Sequence, residues 1–436
     1  MRDRSFFELD LILFLGTIAL MIISILFIYS SGISSTGINY SNEYIRQIVW
    51  AATSIIIMVV FTFFDYSRLK DLSRYLYPVL ILLLLLTLVF GQVRNGARSW
   101  LSILGFGFQP SEFTKLATIL FLGRYLSETK RSTRDLSRFL IAMGIAMLPC
   151  GLILLQPDMG TAMVFVPVFL VMIFLAGTRI RYILFMISAV FLAILIGMLP
   201  AWEEYILGEK IPFLQFLVGN DYIKITLVST LLVLAVSLTG QIFLKKKYFY
   251  WISYGISIFV TAILGGMAAR IVLKDYQIKR LIVFIDPGVD PQGAGWNVIQ
   301  SITAVGSGGF WGKGFLKGTQ SHYRFLPQQS TDFIFSIIAE EWGFVGCLAI
   351  FLIFTAILIR SLMILSSSKD SFGLYIGGGI LGMIFFHFIV NIGMAMGIMP
   401  ITGIPLIFLS YGGSALWTGV LGISILANIY SHRYKY

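Results

Sequence analysis

Charge is what this sequence has least of. Asp, Glu, Lys and Arg make up only 12% of its 436 residues, against roughly 25% in a soluble domain, and no stretch reads as such a domain. Cysteine is nearly missing as well. The two present, Cys150 and Cys347, both lie inside apolar runs, which excludes a disulfide framework and suggests no metal site. The alternating segments of about 10 residues that build a membrane β-barrel are not found. Nor does a small-residue cleavage site follow the first apolar run, Leu11–Tyr29. That run is too long for a leader and reads as a retained first helix.

Apolar residues take the place of charge, at 58% of the chain and a mean hydropathy of +0.88. Runs of about 20 apolar residues, the length that crosses a bilayer as a helix, recur from end to end. The fold class expected is therefore an all-α, polytopic helical membrane protein. Spans are expected at 11–31, 48–64, 75–91, 111–125, 139–155, 159–176, 182–200, 222–243, 248–270, 333–360, 372–397 and 413–430, about twelve in all. Short basic loops orient them, because Lys and Arg gather on the cytoplasmic side. Arg68, Lys70 and Arg74, the segment SETKRSTRDLSR, Arg179 with Arg181, and Lys245-Lys246-Lys247 share one side when both termini are cytoplasmic. The whole chain, 1–436, is expected to form a single membrane domain. Its longest polar loop, 271–331, then faces the outside.

The formal net charge of +11 comes mostly from those cytoplasmic loops and gives no reason to invoke nucleic acid. A basic excess remains on the outer side: Arg94, Arg98, Lys274, Lys279, Arg280, Lys313, Lys317 and Arg324. Either the orientation is wrong or that face binds something anionic. The short basic loops orient the chain independently, which favours the second.

The stretch from Gly293 to Gly343 gathers the unusual residues. Gly306-Ser307-Gly308-Gly309 and Gly312-Lys313-Gly314 permit close backbone approach and positive φ, and such a loop can offer N–H groups to phosphate. The G-x-x-x-x-G-K-[ST] frame of a nucleotide loop is absent. Thr331-Asp332 stands at the mouth of the span 333–360. Either residue could cap that helix; left uncapped and partly desolvated, Asp332 could serve as a general base. Glu340 and Glu341 lie about two turns deeper and require a polar cavity or basic partners.

Elsewhere, Glu112 and Lys115 share a helix face. They form either an ion pair that anchors the helix or part of the site, holding its key residue or a metal. Pro110 and Ser111 suit a helix start, with Ser111 as the N-cap. Trp100 is either an interfacial aromatic or a site residue. Asp158, in the turn Gln156-Pro157-Asp158, suits the cap of the sixth helix, and Asp286-Pro287 suits a turn. His387 and Asn391, four apart, suit interhelical hydrogen bonds. The Gly/Pro-rich segment from Gly397 to Ser414 cannot be a regular helix, and broken backbone at membrane depth survives only where it is buried or lines a cavity.

Together these pieces resemble the SEDS family, which includes RodA, FtsW and SpoVE. The resemblance rests on Gly96-Ala97-Arg98-Ser99-Trp100, Gln109-Pro110-Ser111-Glu112, Gln156-Pro157-Asp158-Met159-Gly160-Thr161, Gly306-Ser307-Gly308-Gly309, Gly318-Thr319-Gln320, Thr331-Asp332-Phe333-Ile334-Phe335, Gly403-Ile404-Pro405 and Ser410-Tyr411-Gly412-Gly413-Ser414. The three Gly-rich pieces, Gly-Ser-Gly-Gly, Gly-Lys-Gly and Gly-Thr-Gln, look more like RodA than FtsW. The resemblance implies a peptidoglycan glycosyltransferase of the bacterial cytoplasmic membrane. Such an enzyme polymerises lipid II on the outer face during cell elongation, with undecaprenyl-pyrophosphate-linked glycan as donor and a class B penicillin-binding protein as partner. It puts the family's essential aspartate on Asp332, its motif tryptophan on Trp100 and its Glu/Lys pair on Glu112 and Lys115, with Asp158 and Thr331 in support.

On this reading Arg94, Arg98, Lys313, Lys317 and Arg324 are candidates to meet the pyrophosphate. The cofactor stays open, with a divalent cation (magnesium or manganese) as a candidate and no residue assigned as its ligand. Two departures stand out. The family's Leu-Pro-Glu is here Leu326-Pro327-Gln328, and the region 201–270 adds a helical hairpin to the family's ten spans. Two rival functions fit in part: a transporter that flips lipid-linked precursor, and a non-catalytic scaffold for the penicillin-binding protein. Broken helices and buried carboxylates fit a transporter. The lack of an internal repeat and the one-sided basic cluster speak against it.

Overall fold

Inside a bilayer each segment must satisfy its own backbone, and an apolar run does so as a helix. The computed structural model describes residues 10–94, 96–103, 106–129, 136–209, 211–212 and 214–432. Among these, ten helices are long and apolar enough to cross a membrane, and the chain is an all-α polytopic membrane protein. In order come α1 (Leu11–Ser31), α2 (Glu43–Phe63), α3 (Ser67–Phe90), α4 (Pro110–Glu128), α5 (Leu136–Leu155), α6 (Met159–Met163) and α7 (Phe165–Leu175). Then follow α8 (Ile180–Trp202), α9 (Gln215–Val218), α10 (Asn220–Leu244), α11 (Lys247–Val272) and α12 (Asp275–Ile285). The chain closes with α13 (Ala294–Ser307), α14 (Thr319–His322), α15 (Ile334–Ser367), α16 (Ser371–Ala395) and α17 (Gly413–His432).

Two expected spans fall short of a full crossing by length and composition. One is α4, which carries Glu112, Lys115, Arg124 and Glu128. The other is split at Val164 into α6 and α7.

The helices pack as two compact units, Met1–Gly177 with Trp296–Tyr436, and Thr178–Gly295. Of the ten membrane-length helices, α16 and α17 are the most buried, with 67% and 72% of their apolar windows buried, against 22% for α2 and α3. Small residues make that depth possible. A Cβ on Gly378 would stand 2.1 Å from Leu175 Cδ1, and one on Gly379 2.8 Å from Met172 Sδ, so α7 closes directly onto the backbone of α16. In the second unit, α8 and α11 meet in the same way, with Gly266 against Ile196. Ile196, Ile223, Ala262 and Ile263 form its core. The α10 helix of that unit is only 6% buried and turns an apolar surface outward nearly all round.

Two expected loops carry regular structure. Between α3 and α4 the chain forms an antiparallel sheet of β1 (Gln92–Arg94), β2 (Ala97–Ile103) and β3 (Phe106–Phe108), in that order, with Gln92 opposite Trp100 and Leu101 opposite Phe108. The segment 271–331 contains α12, α13 and α14 and a short 3-10 turn at Pro287–Val289 that Asp286 caps through Gly288 N–H.

Candidate active site at the head of a broken helix

Gly343 breaks α15. Its φ of 63° and ψ of −159° take the chain out of the helix for one residue, a conformation that glycine adopts without Cβ strain. A break of this kind orphans the carbonyls before it and the N–H groups after it, and buried groups need new partners. The glycine-rich loop supplies four of them. Lys313 N–H and Gly314 N–H donate to the carbonyls of Glu340 and Glu341 at 3.0 and 2.9 Å. Phe344 N–H and Val345 N–H donate to the carbonyls of Gly309 and Phe310 at 2.9 and 3.2 Å. So close an approach requires the glycines: a Cβ on Gly308 would lie 1.9 Å from Ala339 O, and one on Gly312 2.1 Å from Glu341 O. The close contact anticipated for this loop is thus made with α15, and two of its N–H groups are engaged there.

Glu340 and Glu341, both fully buried, find the partners that their depth demands. Glu340 Oε1 accepts from Lys313 Nζ at 2.8 Å, Thr319 N–H at 2.8 Å, Thr319 Oγ1 at 2.9 Å and Gln320 N–H at 3.0 Å. Glu341 accepts from Ser30 Oγ and from Leu316 N–H (3.1 Å), and lies 3.4 Å from His322 Nε2. The other ring nitrogen of His322 donates to Ile33 O at 2.8 Å. The Glu341 carboxylate beside it raises the His322 pKa above its ordinary value. The sequence reading did not single out His322, although it is one of only three histidines.

Asp332 sits on the turn that leads into this helix head and is half-buried. The turn is closed by Asp332 N–H on Gln328 O at 3.1 Å, with Gln328 at φ 51°. The N-cap position of α15 is held by Phe333, not by Thr331 or Asp332. Thr331 Oγ1 bonds back to Gln328 O at 3.3 Å. The turn is tied to its surroundings on two sides, by Ser330 Oγ on Glu43 Oε2 at 2.6 Å and by Tyr411 N–H on Ser330 O at 2.8 Å. The carbonyl of Asp332 itself accepts from Asn391 Nδ2 at 3.0 Å.

The Glu112–Lys115 pair is buried to 3% and 1% exposure, with Nζ 2.8 Å from the carboxylate. Lys115 also meets His387 Nε2 at 3.1 Å. Ser111 is not the cap of α4. Gln109 holds that position and Pro110 is the first helical residue. Asp158 does cap α6, accepting from Thr161 N–H at 3.1 Å and Thr161 Oγ1 at 3.0 Å, and it accepts from Gln109 Nε2 at 3.1 Å. Burial pushes its carboxyl pKa upward, opposed by the Thr161 bonds. The charges of Glu112 and Lys115 both reach it.

The sheet joins this group through Arg98 N–H, which donates to Gln156 O at 3.0 Å, two residues before Asp158. Trp100 is half-buried on β2. The exposed Arg98 side chain donates to Leu88 O at 3.3 Å, Arg324 lies 4.3 Å over the Tyr40 ring, and Lys317 is exposed. The side chain of Arg94 lies outside the described residues. Among the described residues no three His, Cys, Asp or Glu side chains converge as a metal ligand set, and no step below is routed through a metal.

A multi-pass helical protein with an ion pair buried between its spans and an acid at the head of a broken helix defines a class of intramembrane proteins with a polar site. The comparisons narrow that class. The chain belongs to the FtsW/RodA/SpoVE family of cell cycle proteins, whose model matches residues 9–207 and 203–435. It is 46% identical to the peptidoglycan glycosyltransferase RodA of Treponema pallidum (strain Nichols) over 432 residues, 98% of this chain and 99% of the relative. It is 32% identical to stage V sporulation protein E of Bacillus subtilis (strain 168) over 426 residues, 96% of each. Among solved structures, a chain from work on the coordination of polymerization and crosslinking by a peptidoglycan synthase complex aligns with a TM-score of 0.66 at 26% identity, covering 98% of this chain and 99% of that one. The rod shape determining protein RodA of Thermus thermophilus shares the fold, with a TM-score of 0.60 at 23% identity over 99% of each chain.

Proposed function

We propose that this protein is a peptidoglycan glycosyltransferase that polymerises lipid II at the outer face of the bacterial cytoplasmic membrane during cell elongation. The observation that carries the reading is the placement of Asp332. It is half-buried, lies one residue before the N-cap position of α15, and sits on a turn pinned to α16 and to the Tyr411 segment. The activity is the one that names the Treponema relative.

In the proposed step, Asp332 takes the proton of the acceptor sugar's 4-hydroxyl. The oxygen attacks the anomeric carbon of the donor, and the bond from that carbon to undecaprenyl pyrophosphate breaks. Developing negative charge on the leaving group calls for fixed positive charge nearby. Arg94, Arg98, Lys313, Lys317 and Arg324 are the candidates, Lys313 being also paired with Glu340. Trp100 completes the proposed substrate side, and Glu112, Lys115, Asp158 and Thr331 support the site. A divalent cation remains a candidate cofactor.

The proposed topology has about twelve spans, counting α4 and the α6–α7 pair, with both termini cytoplasmic and α10–α11 as a hairpin added to the family's ten. A class B penicillin-binding protein is the proposed partner. Polymerisation of purified lipid II by Asp332→Asn tests the reading. A general base contributes about 10²–10⁴-fold, so the variant should lose at least that factor while remaining folded. A normal rate would sink the assignment.

A further inference from the structure

One face of α16 does two jobs at once. His387 and Asn391 lie one turn apart, both buried, and each makes two side-chain bonds that together lead to the same short piece of unwound chain. His387 Nδ1 stands 2.8 Å from Pro405 O. A carbonyl can only accept, so Nδ1 carries the hydrogen. Nε2 faces the Lys115 ammonium, which can only donate, so it takes the lone pair of a neutral ring. Asn391 Nδ2 donates to Ile404 O at 2.8 Å and to Asp332 O at 3.0 Å. Ile404 and Pro405 are consecutive. The two side chains therefore hold the Lys115–Glu112 pair and the Asp332 main chain against one fixed point.

We propose that Asn391 is a positioning residue for Asp332, and that His387 registers the Lys115–Glu112 pair to the same unwound segment. The inference rests on Asp332 being the general base. Neither side chain needs to touch substrate. Asn391 holds the backbone from which the carboxylate projects, and an error of about 1 Å in a reacting group can cost on the order of 10²-fold in rate. Both donor hydrogens of Asn391 are used, one on each carbonyl. A side chain of similar size without them leaves the Asp332 turn attached to α15 but unregistered to the segment that His387 holds.

The test is steady-state polymerisation of lipid II by the full-length purified protein carrying Asn391→Leu, which removes both donors, and Asn391→Ser, which keeps at most one. Loss of registration should lower kcat by roughly tenfold or more in both variants and leave KM for lipid II within about twofold, because binding contacts are untouched. A role in packing alone would not produce that split. Should Asn391→Leu fail to fold, the smaller Asn391→Ser change decides alone. An unchanged kcat, or a rise in KM that accounts for the whole loss, overturns the proposal. Asp332→Asn is run beside them. If it is inactive while the Asn391 variants are normal, only the positioning role fails. If it is active, the underlying reading of Asp332 fails instead.

Discussion

Lys313 Nζ lies 2.8 Å from Glu340 Oε1, and the carboxylate it meets has no solvent exposure. The loop's lysine is thereby matched in charge by the helix it crosses. Glu340→Ala should break this clamp and strand the Thr319 and Gln320 N–H groups that share it. Removing one member of a buried pair costs about 3–5 kcal/mol. Lys313 keeps 28% side-chain exposure, so the low end, about 3 kcal/mol, is expected. Thermal unfolding of the purified variant measures it. Glu340→Gln keeps an acceptor oxygen and should lose less.

The glycines of the loop divide into those that matter and those that do not. Gly312 has a φ of 80°, and a Cβ there would collide with Glu341 O. Gly312→Ala should cost more than about 1 kcal/mol and expose the Lys313 and Gly314 amides to hydrogen exchange. Gly306, near the end of α13, has open space around its Cβ position. Gly306→Ala should be neutral or stabilise by up to about 1 kcal/mol. Equal effects at the two positions would count against the close packing of loop on helix.

The neighbours of His322 set the sign of a pH dependence in stability. The Glu341 carboxylate raises its pKa in the folded chain, with Glu340 adding to the effect. The bonus is full below the unfolded value of about 6.5 and is lost as pH rises through the folded one. The unfolding midpoint of the wild type should therefore fall relative to that of His322→Gln as pH rises above about 6.5. A constant gap between the two proteins over that range would show that the ring is not titrating there.

Gly160 is the contact point between α6 and the unwound segment: a Cβ would stand 2.4 Å from Thr402 O. Gly160→Ala should push on the chain that carries Ile404 and Pro405 and lower the polymerisation rate by up to about 10²-fold, the scale for a small displacement at a reacting site. Gly151 on α5 has nothing within reach of its Cβ position. Gly151→Ala is the matched control and should leave the rate unchanged.

Long apolar runs made the spans legible from sequence, because a bilayer allows few alternatives. The expected spans at 11–31, 372–397 and 413–430 differ from α1, α16 and α17 by two residues or fewer at either end. Local chemistry was legible too: Glu112 and Lys115 at helical spacing form an ion pair, and Asp158 caps α6. What could not be read was pairing across long sequence separations. Nothing near Glu340 announces Thr319, and nothing near Asp332 announces Asn391, 59 residues on. The sheet was missed although Asn95-Gly96 is a hairpin dipeptide. Its strands are three to seven residues long and lie between two much longer helices. The break at Gly343 lay inside the single expected span 333–360, and a glycine within a span does not reveal its φ.

That break has a mechanical consequence. The four backbone bonds across Gly343 splice loop 309–314 into the helix, so the upper part of α15 and the loop have no slack between them. The loop and the part of α15 that begins at Ile334 thus form one hydrogen-bonded piece, to which the Glu340 and Glu341 side chains add their own bonds to Lys313 and Leu316.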